Sequence, residues 1–443
     1  MSTHSCHVSE ESFTARFGDV INEDRLAALL TQFRQSPAGV APRVPGAQII
    51  MGMTFHSLLP SGLLSSHIKQ LTGHRLGDSS ISQRRETMGS ALFLAVLEES
   101  LGTTAQPTLH PQAFYKGKRL VGVDGTSWSI TNTPSVKAAT RKIRSRRGSS
   151  AFYKLGMTAL YELGTHNPLA ANVGKDGESE MALAIPLLSK LQPDWLLVAD
   201  RYYGVAKFVS RLLALPSRPS FLLRARDNLK SHCIEILPDG SRLIDIRDVS
   251  TNRLVQLREI YARVRTRSGR WVNVRLWTDL LDHNAYPAEE LVCLYGSRWE
   301  HETAYKQLKV QLRRTPLLLS HTLTTAVQEI CCLLLAQAII ARMRVTAAGV
   351  HQAPLQISFI QTLHHCRSLW MMTSEAFRDI IPPELAPRLL HRILELIAQQ
   401  HSPPRRQRSC PRALRQPVSS WPRLRKNASC SGTFQIHITR NHP

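Results

Sequence analysis

Acidic residues are scarce in this 443-residue chain, with 33 Asp and Glu against 56 Lys and Arg, a formal net charge of +23. An excess of that size calls for a polyanionic partner, because each cation laid against a phosphate releases a condensed counterion. Nucleic acid is the first candidate and an anionic membrane surface the second. Long apolar runs are also lacking. The longest, ICCLLLAQAIIA over Ile330 to Ala341, carries Gln337 and falls short of the roughly 20 residues that span a bilayer. It reads as a buried core helix, and no membrane partner is expected. The amino terminus, MSTHSCHVSEESF, has no basic segment leading into an apolar stretch, so no signal peptide is visible and an intracellular protein is expected. The eight cysteines include no CxxC pair, which favours reduced, mostly buried thiols over disulfides or zinc. His364-His365-Cys366 has no second ligand pair at zinc-finger spacing. No GxxxxGK[ST] loop is present, so ATP-driven chemistry is unsupported.

What remains is a chain of ordinary globular make-up, 43% hydrophobic and 20% charged, long enough for two or three domains. The first hundred residues read as helical, with Ile49 to Leu64 apolar and DSSISQRRETMG (Asp78 to Gly89) opening a helix that Asp78 or Ser79 caps. Arg84 and Arg85 fall early in it, suited either to phosphate contact or to a solvated face. From Lys116 the pattern changes to strands. Leu120-Val121-Gly122-Val123 stops at Asp124, and Trp195-Leu196-Leu197-Val198-Ala199 stops at Asp200. Tyr153 to Leu163 and Asn167 to Val173 read as further strands and Glu178 to Leu191 as a helix, which together make an α/β layer. The intervening run KAATRKIRSRR has no acid and reads as a solvated loop.

Beyond Asp200 the chain alternates with period two: Arg253 to Leu257, Tyr261 to Arg267, and Trp271 to Trp277, with Ser268-Gly269-Arg270 as a hairpin turn. Alternation sets Tyr261, Arg263, Arg265 and Arg267 on one strand face, and Trp271, Asn273, Arg275 and Trp277 on one face of the next. Such a face serves either as a nucleic-acid surface or as a sheet whose tryptophans turn to the core. Ser358 to Ile397 has helical period. The tail from His401 holds nine Lys and Arg, no acid and many prolines, and reads as disordered.

Two aspartates, each ending an apolar strand, suit a metal site weakly, since Asp after a strand also serves as a turn residue. A third element sharpens the reading. In LYGSRWEHETAYKQLK, residues Tyr295, Arg298, Glu302, Tyr305 and Lys309 fall along one stripe of an α-helix, which therefore offers a carboxylate among cations and phenols. With Asp124 and Asp200 it completes three carboxylates, hard oxygen donors suited to two Mg²⁺ ions and in-line attack on a phosphodiester.

The spacing Tyr-x2-Arg-x3-Glu-x6-Lys, with VDGT at the first strand and ADRYYG at the second, resembles the DDE transposases of the insertion element 4 family. TDLLDHNAYPAEELVCLYGSRWEHE, ALYELGTHNPLA and ISQRRETMG are similar to the same family, and the resemblance runs from about residue 15 to about residue 345. It implies an α/β fold with a ribonuclease H-like catalytic core and a β-rich insertion, a mainly helical N-terminal domain and a helical C-terminal region. The expected layout is 1–110 helical and DNA-end-binding, 111–345 catalytic with an insertion at about 215–282, 346–400 helical, and 401–443 a basic tail. By this resemblance Asp124, Asp200 and Glu302 are the catalytic and metal-binding set, with Mg²⁺ as cofactor and Mn²⁺ able to substitute. Tyr295, Arg298 and Lys309 would contact DNA phosphates, joined by Arg84 and Arg85, and Trp271 or Trp277 would hold a flipped base. Double-stranded DNA, as transposon ends and target, is the expected partner, with a homodimer as the active complex and a bacterial, nucleoid-associated location. The implied reaction is cut-and-paste transposition; the alternative is an inactive, transposase-derived DNA-binding protein. Two departures stand out. Family members often have Gly directly after Asp-Arg, where this chain has Tyr202-Tyr203 before Gly204, and the tail carries no family feature.

Overall fold

The computed structural model of the protein describes residues 20–21, 23–33, 44–142, 144–145, 148–174, 178–248, 251–265, 269, 271–313, 315–403 and 435–438. The fold is mixed α/β and divides into two compact units, Met1–Lys190 with Trp299–Ser402, and Leu191–Arg298 with Pro403–Pro443.

The first unit opens with helices. α1 (Gly46–Leu58) is buried on nearly every side, as its run of Ile, Met and Phe requires. α2 (Asp78–Ser100) starts where the sequence suggests, but its cap position is Gly77 and no side chain caps it. It also changes course at Gly89, whose φ of 69° lies in the region that glycine tolerates best. Three antiparallel strands follow in the spatial order β3-β2-β1: β1 (Lys118–Ile130), β2 (Tyr153–Glu162) and β3 (Asn167–Val173). Asp124 therefore sits mid-strand and not at a strand end. Unbroken burial stops at Val123, yet the backbone goes on pairing with β2 as far as Ile130 opposite Tyr153, and beyond Ser127 only alternate side chains are buried. α3 (Glu180–Leu187) is capped by Ser179, whose hydroxyl accepts from the Ala182 amide at 3.2 Å.

The second unit begins with a parallel crossover, β4 (Trp195–Gly204), α4 (Ala206–Leu213) and β5 (Ser220–Ala225). Asp200 also lies inside its strand. β4 bulges between Ala199 and Gly204 before it rejoins β5. A Cβ at Gly204 would run into the Arg224 carbonyl, so glycine is needed at this close approach, while Tyr203 fills a buried slot against Phe208. An antiparallel meander continues the sheet through β6 (His232–Ile236), β7 (Arg242–Asp248), β8 (Arg253–Arg265) and β9 (Trp271–Thr278), in the order β5-β9-β8-β7-β6. The two alternating runs that begin at Arg253 and Tyr261 form one strand, β8, which ends at Arg265. The expected continuation through Thr266 and Arg267 lies outside the described residues, as do Ser268 and Arg270 of the expected turn. In the tail, which the sequence marks as disordered, β10 (Gln435–Ile438) pairs antiparallel with β8, whereas 404–434 and 439–443 lie outside the described residues. α5 (Ala288–Tyr295) closes this part of the chain.

Arg258 of β8 is fully buried and spends its donors on the Ser241 hydroxyl, the Leu280 and Tyr286 carbonyls and Asp239. Beside it, Glu259 and Arg275 form a buried ion pair at 2.7 Å, and the same carboxylate accepts from the Trp277 indole N–H at 2.8 Å. Both charges of the pair have hydrogen-bond partners, which burial of an ion pair requires.

The chain then returns to the first unit with α6 (Trp299–Lys306), a π-helical segment (Gln307–Leu312), α7 (Leu323–Ala348), α8 (Phe359–Met372) and α9 (Ala386–Ala398). α7 contains the apolar run noted in the sequence but is longer, and by length and composition alone it is able to cross a membrane. Here it is mostly buried in the unit's core, with Ile330, Leu334, Leu335 and Ile340 fully covered. Thr322 and Thr325 cap it reciprocally. Gln328 faces α2, donating to the Arg85 and Gly89 carbonyls and accepting from the Arg85 guanidinium.

This packing sets two expectations for stability. Gly204→Ala should cost about 1–3 kcal/mol through the enforced strand shift, read as an earlier urea midpoint. His56 of α1 is pushed down to about 4 by burial, with His67 and Arg85 adding to the shift, so it is neutral in the fold. Unfolding frees it to take a proton below its ordinary value of 6.5. Stability is thus fully present above pH 6.5 and is lost as pH falls toward 4, by at most about 3 kcal/mol from this residue. Urea titrations at several pH values should show that slope, and His56→Asn should make it shallower, the remainder coming from His67, His110, His166 and His365, which burial also lowers.

Candidate active site

In the first unit the site is built from β1, α3, α6 and the π segment. Asp124 is partly exposed, and one carboxylate oxygen accepts from the Gly125 amide at 2.9 Å. Glu302, also partly exposed, lies on α6. Three residues further on, one helical turn along, the Tyr305 hydroxyl donates to the Asp124 carbonyl at 2.6 Å and so fixes the helix of one carboxylate to the strand of the other. Burial pushes the Tyr305 phenol well above its ordinary value, with Tyr161, Asp124 and Glu180 adding to the shift, so it remains a hydrogen-bond donor.

Tyr305 is itself held in place. Its ring meets Tyr161 edge-on at 5.6 Å and His301 at 4.7 Å. The Tyr161 hydroxyl donates to Gln337 of α7 at 2.7 Å, and the Gln337 amide donates to the Ala304 carbonyl at 3.0 Å. On the other flank, His166 in the β2–β3 turn touches Glu300 at 2.8 Å through Nε2 and Gln307 at 3.1 Å through Nδ1. The Glu302 helix is therefore gripped on both sides.

Lys309 leaves the π segment to donate to the Thr126 hydroxyl at 2.9 Å and the Ser127 carbonyl at 2.7 Å. Burial lowers its pKa, and nearby Arg313 and Lys154 lower it further. Glu180, which sequence reasoning missed, packs so closely on Gly125 that a Cβ there would strike its carboxyl group. No spacing marks it out; only the fold of α3 onto β1 brings it there. Gly125 to Ser127, Arg141, Lys154 and Glu180 line a cleft of about 510 Å³.

The second unit carries the other half of the expected set. Asp200 accepts from the Tyr202 amide at 2.8 Å and lines an open cleft of about 560 Å³ with Arg201, Tyr202, Arg226, Asp227 and Asn228. Tyr295 is pushed up to about 12, chiefly by burial and in part by Asp200, while Arg298, hydrogen-bonded to it, and Arg224 act in the opposite sense. Asp200, Tyr295, Arg298 and Arg224 thus share one electrostatic neighbourhood.

The single α-helical stripe expected from Tyr295 to Lys309 is not formed. The stretch is broken into α5 to Tyr295, a 3₁₀ turn over Gly296–Arg298, α6, and the π segment holding Lys309. Each change of helix type rotates the following side chains away from strict 3.6-residue spacing. Tyr295 and Arg298 go with Asp200, and Glu302, Tyr305 and Lys309 go with Asp124.

The remaining sequence candidates divide likewise. Arg85 points inward and donates to Gln328, Ser320 and the Thr325 carbonyl; Arg84 is partly buried. Trp277 is 1% exposed, whereas Trp271 is partly exposed, lies beneath the Arg263 guanidinium at 5.0 Å and contacts His437. The carboxylates at Asp124 and Glu302 are hard oxygen donors of the kind a divalent cation takes. Among the described residues, no group of three or more Asp, Glu, His or Cys side chains is gathered closely enough to hold a metal.

A transposase DDE domain matches residues 115–338, half of the chain, and the chain belongs to that family; it is a DDE transposase. It is 25% identical over 390 residues to "Transposase InsG for insertion sequence element IS4" of Escherichia coli (strain K12), a match that covers 86% of each protein. That relation places it with the insertion element 4 transposases. Among solved structures it is similar to a cryo-EM structure of the piggyBac transposase synaptic complex with hairpin DNA, at 8% identity and a TM-score of 0.46, covering 89% of this chain and 87% of that one.

Because Gln337 serves two partners, Gln337→Leu should unpair the Tyr161 hydroxyl and the Ala304 carbonyl together. The expected loss is about 1–3 kcal/mol, with the far-UV spectrum unchanged, measured by urea unfolding.

Proposed function

We propose that this transposase binds the terminal inverted repeats of its own element, cuts the DNA there and joins the 3′ ends to target DNA, in cut-and-paste fashion. The reading rests above all on the Tyr305 bond to the Asp124 carbonyl, which ties Glu302 to Asp124 within one unit. In this reading residues 111–345 form a ribonuclease H-like core, residues 1–110 bind the DNA ends, and Asp124, Asp200 and Glu302 hold Mg²⁺, for which Mn²⁺ can stand in. When bound, the metal activates the attacking oxygen and steadies the leaving one.

The chain's own residues do the rest. Arg298 is suited to grip a phosphate bidentately, and Lys309, tethered at Thr126 and Ser127, supplies a point charge beside β1. Tyr295 stays protonated at working pH and serves as a hydrogen-bond donor. Trp271, half-exposed, is better placed than the buried Trp277 to stack on an extruded base, while Arg84 and Arg85 belong to the end-binding region. A homodimer on double-stranded DNA would form the active complex.

The test is a gel assay of the full chain on its labelled element end with Mg²⁺, with Ca²⁺ and as Glu302→Gln. A nick at the element boundary that needs both Mg²⁺ and Glu302, with binding unchanged in the variant, is the expected result. Cleavage retained by Glu302→Gln would remove Glu302 from the site, and wild-type binding without any cut would mark an inactive relative.

A further inference from the structure

Turns between strands are mostly exposed, yet in the first unit the turn from β2 to β3 is buried throughout. Glu162, which ends β2, is 0% exposed. Its carboxylate accepts from the Thr104 hydroxyl at 2.6 Å, the Ala105 amide at 3.0 Å and the Thr165 hydroxyl at 2.6 Å, and pairs with the Arg119 guanidinium. The Glu162 carbonyl accepts from the His166 amide at 2.9 Å, and the Asn167 side chain donates to the Gly102 carbonyl at 2.6 Å. These bonds fix the path of the turn. Within it His166 has a φ of 61°, a left-handed conformation that a residue other than glycine keeps where its surroundings hold it there.

The turn presents the His166 ring to two helical segments at once. Nε2 meets Glu300 of α6 at 2.8 Å and Nδ1 meets Gln307, the first residue of the π segment, at 3.1 Å. These partners are 307 − 300 = 7 residues apart, about two helical turns, and so share one face. Glu302 lies two residues after Glu300, and Lys309 lies two residues after Gln307. Two residues turn an α-helix by about 200°. The ring therefore grips α6 from its buried side, while Glu302 projects from the opposite, partly exposed side. Between the two contacts the helix changes from α to π, a change of type that is rare and often marks functional sites.

We infer that His166 is a positioning residue for DNA cleavage: by bridging Glu300 and Gln307 it sets the Glu302 carboxylate and the Lys309 ammonium at a fixed separation. The inference rests on the roles proposed above for Glu302 in metal binding and for Lys309 at a phosphate; the bridge itself rests on the two ring contacts. His166 touches neither metal nor DNA and acts only through α6 and the π segment.

The test compares the full chain with His166→Asn and Gln307→Leu. Asparagine accepts a positive φ but is too short to reach both partners, and leucine removes only the Nδ1 contact. Amide hydrogen exchange, read by mass spectrometry, should speed up at least tenfold over 299–312 in His166→Asn, but only over 307–312 in Gln307→Leu. His166→Asn should bind the labelled element end in Ca²⁺ within twofold of wild type. Its cleavage rate at saturating Mg²⁺ should fall at least tenfold, and the Mg²⁺ needed for half-maximal rate should rise at least threefold. A purely structural role would lower binding and cleavage together and leave the Mg²⁺ requirement unchanged, which would overturn the inference. Wild-type exchange over 299–312 in His166→Asn would also overturn it. If His166→Asn does not fold, Gln307→Leu decides: slower cleavage with unchanged binding supports the bridge, and wild-type exchange and rate remove it. Failure of the two proposals is separable. If the wild type cuts no element end but His166→Asn loosens 299–312, the bridge stands and the transposition reading falls. If the wild type cuts and His166→Asn cuts equally well, the positioning role alone fails.

Discussion

The architecture of the first unit depends on two buried amides in the largely apolar helix α7. A helix such as α7, covered almost all round by Ile, Leu and Ala, has little to fix its rotation or its register against its neighbours, because apolar contacts are non-directional. Hydrogen bonds supply the direction: Glu329, Arg342 and Arg344 bond to loop and helix-end groups, and Gln328 and Gln337 bond to the packed elements on either side. Gln328 and Gln337 are 337 − 328 = 9 residues apart, two and a half turns, so they project to opposite sides of the helix. Gln328 takes hold of α2 at its Gly89 kink, and Gln337 takes hold of β2 and α6. From Gln337 the linkage runs through Tyr161 and Tyr305 to the backbone of Asp124, so the placement of one acidic residue relative to another depends on a neutral side chain in the core.

That dependence explains what the sequence disclosed and what it withheld. Asp124, Asp200 and Glu302 stood out because each carboxylate follows or interrupts a recognisable pattern. Strands β2 and β3 were legible from periodicity for the same reason, as was the helical character of Ser358 to Ile397, which the structure divides into α8 and α9. The end of β1 was not. An apolar run reports where both faces of a strand are buried, whereas pairing continues as long as a neighbouring backbone is available, and β2 remains available as far as Tyr153. Helical spacing likewise presumes one helix type throughout, and the 3₁₀ turn and π segment that interrupt Tyr295 to Lys309 have no compositional mark. Glu180 and the partners of His166 were invisible because their surroundings are assembled from segments distant in the chain, which no motif brings together.

The Tyr-Arg-Glu-Lys spacing, continuous in sequence, is shared between the two units. Its first pair stands near Asp200, where Arg298 and Arg224 offset the effect of burial on Tyr295. Its second pair stands near Asp124, with Tyr305 and Lys309 both anchored on β1. Within each unit, then, the polar groups of this segment are placed by the local type of helix as well as by side-chain packing.

The net charge of +23 takes on a more definite meaning once the buried pairs are set aside. Arg119 with Glu162, Arg258 with Asp239, and Arg275 with Glu259 each cancel within the fold, and each consumes one of the 33 acids. Buried pairs of this kind are weak sources of stability, because desolvation offsets most of the attraction. Their larger effect is on what is left outside. Since every such pair removes one cation and one anion together, the excess is unchanged while the acids left to dilute it become fewer. A surface with that balance attracts any polyanion over a Debye length of about 8 Å at physiological salt, without regard to sequence. The proposed choice of one DNA end over the rest would therefore need groups held in fixed positions, since charge of this kind positions a polyanion without reading its sequence.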